Sequence, residues 1–327
     1  MQDTIPRLIE LQRQLRDAVC TTMRSQASHS LSRSVRDDTG DTIFALDIAA
    51  EDVLVPFCEE WGKEQPFILI AEGLEADRIF GQPGASGPEF RLIVDPIDGT
   101  RGLMYDKRSA WCLAGTAPDK GPETRLSDIE HAVMTELPTT RQHLSDRLVA
   151  TRGKGVRGTR ENILTGEVEH LDVVPTQATD LKHGFATVVN FFQGGKEITS
   201  RFEEELLRIE RGGWNHHKAE IYTDQYISSG GQLAELALGR DRFVIDMRPL
   251  VHRVLGFDST LCCRPYDLCT SLIAQEAGCI ITSADGTPLD SPLDVTTNLS
   301  FAGYANQTLA ERLAPIVTKL LREMGLK

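Results

Sequence analysis

Positive charge is scarce in this chain: 35 Lys and Arg face 48 Asp and Glu, a formal net charge of −13 over 327 residues. A surface of that sign repels a phosphate backbone, so no nucleic-acid interface is expected. Long apolar runs are missing too. No stretch approaches the roughly 18 apolar residues of a membrane helix, and the start, Met1-Gln2-Asp3-Thr4, has no basic segment followed by an apolar one. The expectation is a cytoplasmic protein without a membrane partner. Paired cysteines are absent as a motif: seven is an odd number, no C-x-x-C occurs, and Cys112 and Cys279 lie inside apolar runs, which favours reduced core thiols. Cys262, Cys263 and Cys269 with His252 fit no structural zinc spacing. His216-His217 beside Trp214 sits among the turn residues Gly212, Gly213 and Asn215 and reads as a polar loop. Internal repeats and low-complexity segments are also lacking.

With 40% hydrophobic residues the chain buries a large core, and its length suggests one or two subdomains. Ile5, Leu8, Ile9, Leu15, Ala18 and Val19 recur at helical spacing, and a second helix is predicted over 48–61 with Asp47 as its N-cap. Alternating or apolar segments near 111–117, 132–136, 147–151 and 168–174 predict a sheet, followed by the apolar run Phe185 to Val189 and a charged helix over 197–210. A boundary near Asp180 then separates 1–180 from 181–327. Thr308 and Glu311 form a capping box for a last helix that Gly325 ends.

The most informative stretch is Asp95-Pro96-Ile97-Asp98-Gly99-Thr100, because it closes the apolar run Phe90-Arg91-Leu92-Ile93-Val94 with two carboxylates and a Gly-Thr turn. Open α/β sheets bind ligands beyond the carboxyl ends of their strands. Asp95, Asp98 and the Ile97 carbonyl are hard oxygen donors suited to Mg²⁺ or Mn²⁺, while the amides of Gly99 and Thr100 suit a phosphate sharing those ions. The plain alternative is an Asx turn with a capping Thr. A second apolar run, Phe67 to Ala71, also ends in an acid, Glu72, so two neighbouring strands would deliver Glu72 and Asp95 to one edge. Farther on, Arg264-Pro265-Tyr266-Asp267 opens a helical pattern bounded by Gly278, which makes Asp267 either a helix cap or a third carboxylate aimed at the same ions.

These segments, in this order, resemble the inositol monophosphatase family, part of the superfamily of lithium-sensitive phosphatases and fructose-1,6-bisphosphatases. The D-P-x-D-G-T box is complete at Asp95 to Thr100, the strand-end acid looks like Glu72, and Tyr266-Asp267 with Ala277-Gly278 looks like the late W-D-x-x-A-G box. Asp47, in Ala45-Leu46-Asp47-Ile48, looks like the family's early helix aspartate. The resemblance implies an α/β (α+β) layered αβαβ sandwich and a lithium-sensitive homodimer that hydrolyses small phosphate esters with two or three Mg²⁺ ions. It also implies that Glu72, Asp95, Ile97, Asp98 and Asp267 hold the metals, while Thr100 and Asp47 orient the attacking water. Departures concern the substrate: Gly73 stands where a second Glu is frequent, Arg101-Gly102-Leu103 replaces T-x-N-F, and Tyr266 replaces Trp.

By the same resemblance the Gly230-Gly231 turn brings backbone to the substrate, in a form closer to the bisphosphate nucleotidases. Asp246, at the end of Phe243 to Met247, would accept bonds from substrate hydroxyls, or else is an ordinary exposed strand end. The stretch from Arg248 to Cys263 is longer than in a small inositol monophosphatase. It brings Arg248, His252, Arg253 and Arg264 together, so these arginines either grip a second anionic group or pair with surface acids. A 3′(2′),5′-bisphosphate nucleotidase, a fructose-1,6-bisphosphatase-like enzyme and a non-catalytic binder of phosphorylated metabolites are the alternatives to an inositol monophosphate-like activity.

Overall fold

The computed structural model describes residues 4–25, 31–32, 36–38, 41–74, 77–82, 84, 87–213, 217–257 and 261–327. The polar-loop reading of Trp214 to His216 lies outside them. Alternation along the strands sets the architecture. Strand β3 (Phe67–Ala71) sends Phe67, Leu69 and Ala71 into one core and Ile68 and Ile70 into another. Its neighbour β5 (Phe90–Asp98) divides Leu92 from Ile93 in the same way, and β6 (Ala110–Pro118) divides Cys112 from Trp111. A strand buried on both faces needs a layer on each side, and the chain supplies both.

These strands belong to an eight-stranded sheet of order β10-β9-β8-β7-β6-β5-β3-β4, completed by β4 (Arg78–Phe80), β7 (His131–Leu137), β8 (Leu144–Thr151), β9 (Val156–Asn162) and β10 (Val168–Leu171). Within it only β3 and β5 run parallel, Phe67 opposite Phe90 and Ala71 opposite Val94. That register puts Glu72 and Asp95 side by side. Helices α1 (Thr4–Ser25) and α2 (Ala45–Glu64) cover one face, with a small ribbon of β1 (Arg36–Asp38) and β2 (Asp41–Ile43) between them in sequence. On the other face lie α5 (Ser229–Ala237) and α7 (Ser271–Ala277). Those two helices also pack on the second sheet, of order β12-β11-β13-β15-β14, formed by β11 (Gly184–Val188), β12 (Ile221–Tyr222), β13 (Asp241–Asp246), β14 (Ile280–Thr282) and β15 (Phe301–Tyr304).

The αβαβ sandwich is therefore present, and α4 (Lys196–Arg211) with α8 (Gln307–Glu323) covers its remaining sheet face. Short α3 (Thr100–Met104) follows the D-P-I-D-G turn and α6 (Arg248–Leu255) follows β13. The core between the sheets is shared: Trp111 and Leu113 from before Asp180 pack in the same cluster as Leu233, Val244 and Leu272 from after it.

Three sequence expectations change. Helix α2 begins at Ala45 rather than after Asp47, so Asp47 occupies the third helical position and its carboxylate reaches back to accept from Phe44 N at 2.8 Å. Helix α7 begins only at Ser271, because residues 265–270 form successive turns first. The cap of α8 is Asn306, whose side chain accepts from Leu309 N at 2.9 Å, rather than a Thr308–Glu311 box. Strand β9, Val-Arg-Gly-Thr-Arg-Glu-Asn, escaped the hydrophobic pattern because it carries a single apolar residue.

Candidate metal centre

Beyond the carboxyl ends of β3 and β5 a cleft of about 610 Å³, open mouth included, is lined by Glu72, Asp95, Ile97, Asp98 and Asp267. Oxygen atoms of Asp95, Asp98 and Asp267 all lie within 4.8 Å of one another. Each carboxylate is fixed by donors that carry no charge. Asp95 Oδ1 accepts from Ile97 N at 2.9 Å. Asp98 Oδ2 accepts from Ser228 Oγ at 2.8 Å and Gly230 N at 2.6 Å, and its Oδ1 from Ser229 N at 3.3 Å. Asp267 Oδ2 accepts from Arg264 N at 2.5 Å, three residues back, the same reach that Asp47 makes to Phe44.

Three acids in one cleft raise one another's pKa. Burial pushes Asp95 well above the ordinary carboxyl value, and the charges of Glu72, Asp98 and Asp267 push further. Asp267 rises for the same two reasons, burial and then the charge of Asp98. Burial takes Asp98 up to about 6, held down from a larger rise by its bonds to Ser228 and to the first turn of α5. An all-oxygen, mutually repelling set of this kind fits a hard divalent cation, which would relieve the repulsion.

Thr100 Oγ1 donates to the Ile97 carbonyl at 2.8 Å, and Asp47 Oδ1 stands 3.5 Å from the same hydroxyl. Gly99, at φ 106°, makes the turn into α3, and a side chain there would meet the Ile227 carbonyl at 3.1 Å. So Asp47, Thr100, Gly99 and the acids share one corner.

The substrate-side expectations fare differently. Gly230 and Gly231 lie in the first turn of α5, outside the cleft lining, and a Cβ on Gly230 would sit 2.6 Å from Leu113 and 2.9 Å from Asp98 Oδ2. Gly230 stands close against Asp98, to which its amide donates at 2.6 Å. Asp246 is fully buried and outside the lining as well, so it is not an exposed strand end. Its oxygens accept from Arg248 N at 3.0 Å and from Arg248 Nε at 3.0 and 2.9 Å. Arg248 does line the cleft, its charge matched by that pair and a further bond to the Leu261 carbonyl at 2.8 Å. Arg264 sends its guanidinium to the Thr296 carbonyl, outside the lining, and Arg253 is exposed on α6.

Sequence reasoning missed the aromatic part of the lining. Phe191 and Phe192, just past the end of β11, meet edge to face with ring centroids 4.8 Å apart. The Arg248 guanidinium lies 4.8 Å from the Phe191 centroid, and that of Arg101 lies 5.2 Å from Phe192. The available signal was an aromatic pair following a strand end. Ser228, the N-cap of α5 and a donor to Asp98, was missed as well; its signal was a Ser one residue ahead of the Ser-Gly-Gly that starts a helix.

No family model and no curated protein matches the chain. Solved structures do. Thermotoga maritima IMPase aligns at 16% identity and TM-score 0.64, covering 98% of this chain and 100% of that one. Leishmania major fructose-1,6-bisphosphatase in holo form aligns at 14% and 0.66, covering 98% and 95%. The extragenic suppressor protein SuhB from Bartonella henselae aligns at 15% and 0.63, covering 97% and 98%. Their fold is the fold of this chain. In this fold Glu72 and Asp95 of the chain stand where the two parallel strands β3 and β5 end, in the cleft they share with Asp98 and Asp267.

Proposed function

We propose that the chain is a phosphomonoesterase dependent on a divalent cation, Mg²⁺ or Mn²⁺, acting on a small phosphorylated metabolite of the inositol monophosphate kind. The observation that carries the reading is the trio Asp95, Asp98 and Asp267, with oxygens within 4.8 Å of one another and backbone amides and a Ser hydroxyl fixing them. Support comes from the fold, since its solved examples include an IMPase and a fructose-1,6-bisphosphatase. Glu72 and the Ile97 carbonyl complete an oxygen set for more than one ion. When bound, such ions act as Lewis acids toward the ester phosphate and lower the pKa of water.

The residues of the chain do the rest. Thr100 Oγ1 has its proton directed to the Ile97 carbonyl, leaving its lone pairs to accept from a water in the cleft. Asp47 Oδ1 stands beside that hydroxyl and provides an alternative acceptor for the same proton. No side-chain nucleophile is required. A bis-anionic substrate, as for a bisphosphate nucleotidase or fructose-1,6-bisphosphatase, is the second reading, favoured by Arg101 stacked on Phe192 in the cleft lining. A cytoplasmic, lithium-sensitive homodimer belongs to the same proposal.

The test is phosphate release from inositol 1-phosphate, fructose 1,6-bisphosphate, 3′-phosphoadenosine 5′-phosphate and histidinol phosphate, with Mg²⁺, with Mn²⁺ and with chelator. Turnover is expected with cation only, and Asp95→Asn is expected to lower kcat by about a thousandfold, roughly 4 kcal/mol of lost transition-state stabilisation. Cation binding without release from any ester would leave a phosphometabolite binder and sink the hydrolase reading.

A further inference from the structure

A cysteine and a histidine meet in the wall of the acidic cleft without a part in the chemistry above. Cys262 Sγ lies 3.4 Å from His252 Nδ1, and Cys262 lines the same cleft as the carboxylates. The pair is held from several sides. His252 lies four residues beyond Arg248 on α6, and its ring packs against Phe257 with centroids 4.7 Å apart. The residue before Cys262 is anchored by Arg248 Nη1 on the Leu261 carbonyl, and the residue after it by Leu299 N donating to the Cys263 carbonyl at 2.7 Å.

Burial, and then the nearby Arg248 guanidinium, hold His252 below the ordinary imidazole value. A neutral ring with its proton on Nε2 presents a lone pair at Nδ1, facing the thiol. Burial disfavours ionisation of the other six thiols: it pushes Cys20 up to about 11, Cys58 and Cys279 up to about 12, and Cys112, Cys263 and Cys269 upward as well. A thiol beside an imidazole, at the edge of a solvent-open cleft, is the arrangement in which sulfur becomes nucleophilic.

We propose that Cys262 is a site of covalent modification by small electrophiles and peroxides entering the cleft, with His252 as the base that takes its proton. With iodoacetamide, the sulfur pair forms an S–C bond, the C–I bond breaks, iodide leaves with the electrons, and the thiol proton goes to Nδ1. With hydrogen peroxide, an S–O bond forms and the O–O bond breaks. The departing hydroxide takes the proton from the imidazolium and leaves as water, so the thiol is oxidised to a sulfenic acid and the peroxide is reduced. The added group occupies the cleft beside the carboxylates, and a thiol reductant reverses the oxidised form.

The experiment reads mass rather than turnover, so it stands or falls apart from the hydrolase proposal. Native protein is treated with limiting iodoacetamide, or with hydrogen peroxide and dimedone, and the seven cysteines are mapped by peptide mass spectrometry. Cys262 is expected to label about tenfold or more ahead of Cys263 and the rest, and His252→Gln to slow Cys262 by a similar factor while the others stay unlabelled. Uniform labelling of the native protein, or another cysteine labelling first, overturns the proposal. So does unchanged labelling of Cys262 in a folded His252→Gln variant. Should that variant unfold and label everywhere, the ranking in the unaltered protein decides alone.

Discussion

The two walls of the cleft handle charge in opposite ways. On the acidic wall Asp95, Asp98 and Asp267 accept from backbone amides and the Ser228 hydroxyl, and they raise one another's pKa. Elsewhere in the lining Arg248 is cancelled by Asp246 behind it in a buried pair, and the aromatic rings of Phe191 and Phe192 cover the guanidinium. One wall holds like charges together. The other is complete by itself.

The comparison breaks most visibly at Asp246→Asn. That change leaves the buried Arg248 guanidinium without its partner and should destabilise the fold by about 3–5 kcal/mol, read by denaturant unfolding. A loss under about 1 kcal/mol would mean that Arg248 reaches water or other acceptors.

The opposite sign is expected on the acidic wall. In chelator, Asp95→Asn removes one of the repelling carboxylates and should stabilise the protein at pH 8, read by denaturant unfolding. The pH dependence follows the same logic. Asp98 titrates at about 6 when folded and near the ordinary 3.8 when unfolded, so the native state holds a proton that the unfolded chain releases. Stability in chelator therefore falls as pH rises from about 4 through 6, and Asp95 and Asp267, shifted further in the same direction, extend the fall above that. Saturating Mg²⁺ should flatten the slope; thermal unfolding at several pH values, with and without the ion, checks both.

The smallest effect separates Arg101, which the sequence shows only as a departure from T-x-N-F, from Arg264, which it offers as a grip on a second anionic group. Arg101→Met should raise KM for a bis-anionic ester about fivefold, roughly 1 kcal/mol, because its guanidinium lines the cleft. Arg264→Met should leave KM unchanged, since that guanidinium bonds the Thr296 carbonyl elsewhere.

The same contrast explains what was legible. The acids of Asp95-Pro96-Ile97-Asp98-Gly99-Thr100 and Glu72 end apolar strands, and strand ends are fixed by local pattern, so their convergence could be read from the chain. The partners of the basic residues could not. Arg248 folds back two residues to Asp246, while Arg264 reaches thirty-two residues on to Thr296, and nothing in the spacing chooses between those acceptors and a ligand. A small residue at a turn announces close approach without saying what approaches; Gly230 stands against Asp98 and Leu113. Strand β9 stayed hidden because it is held by its ladder to β8 and β10 rather than by apolar alternation.

The bonds from Ser228 and Gly230 to Asp98 span 130 and 132 residues of sequence. They fasten a strand end formed early in the chain to a helix start formed late, and Asp267 joins them from later still. Occupancy of the acidic site and the fit of the two halves against each other are therefore one equilibrium: whatever loosens the seam between the sheets must weaken the grip on a cation, and a bound cation must act as a rivet across that seam.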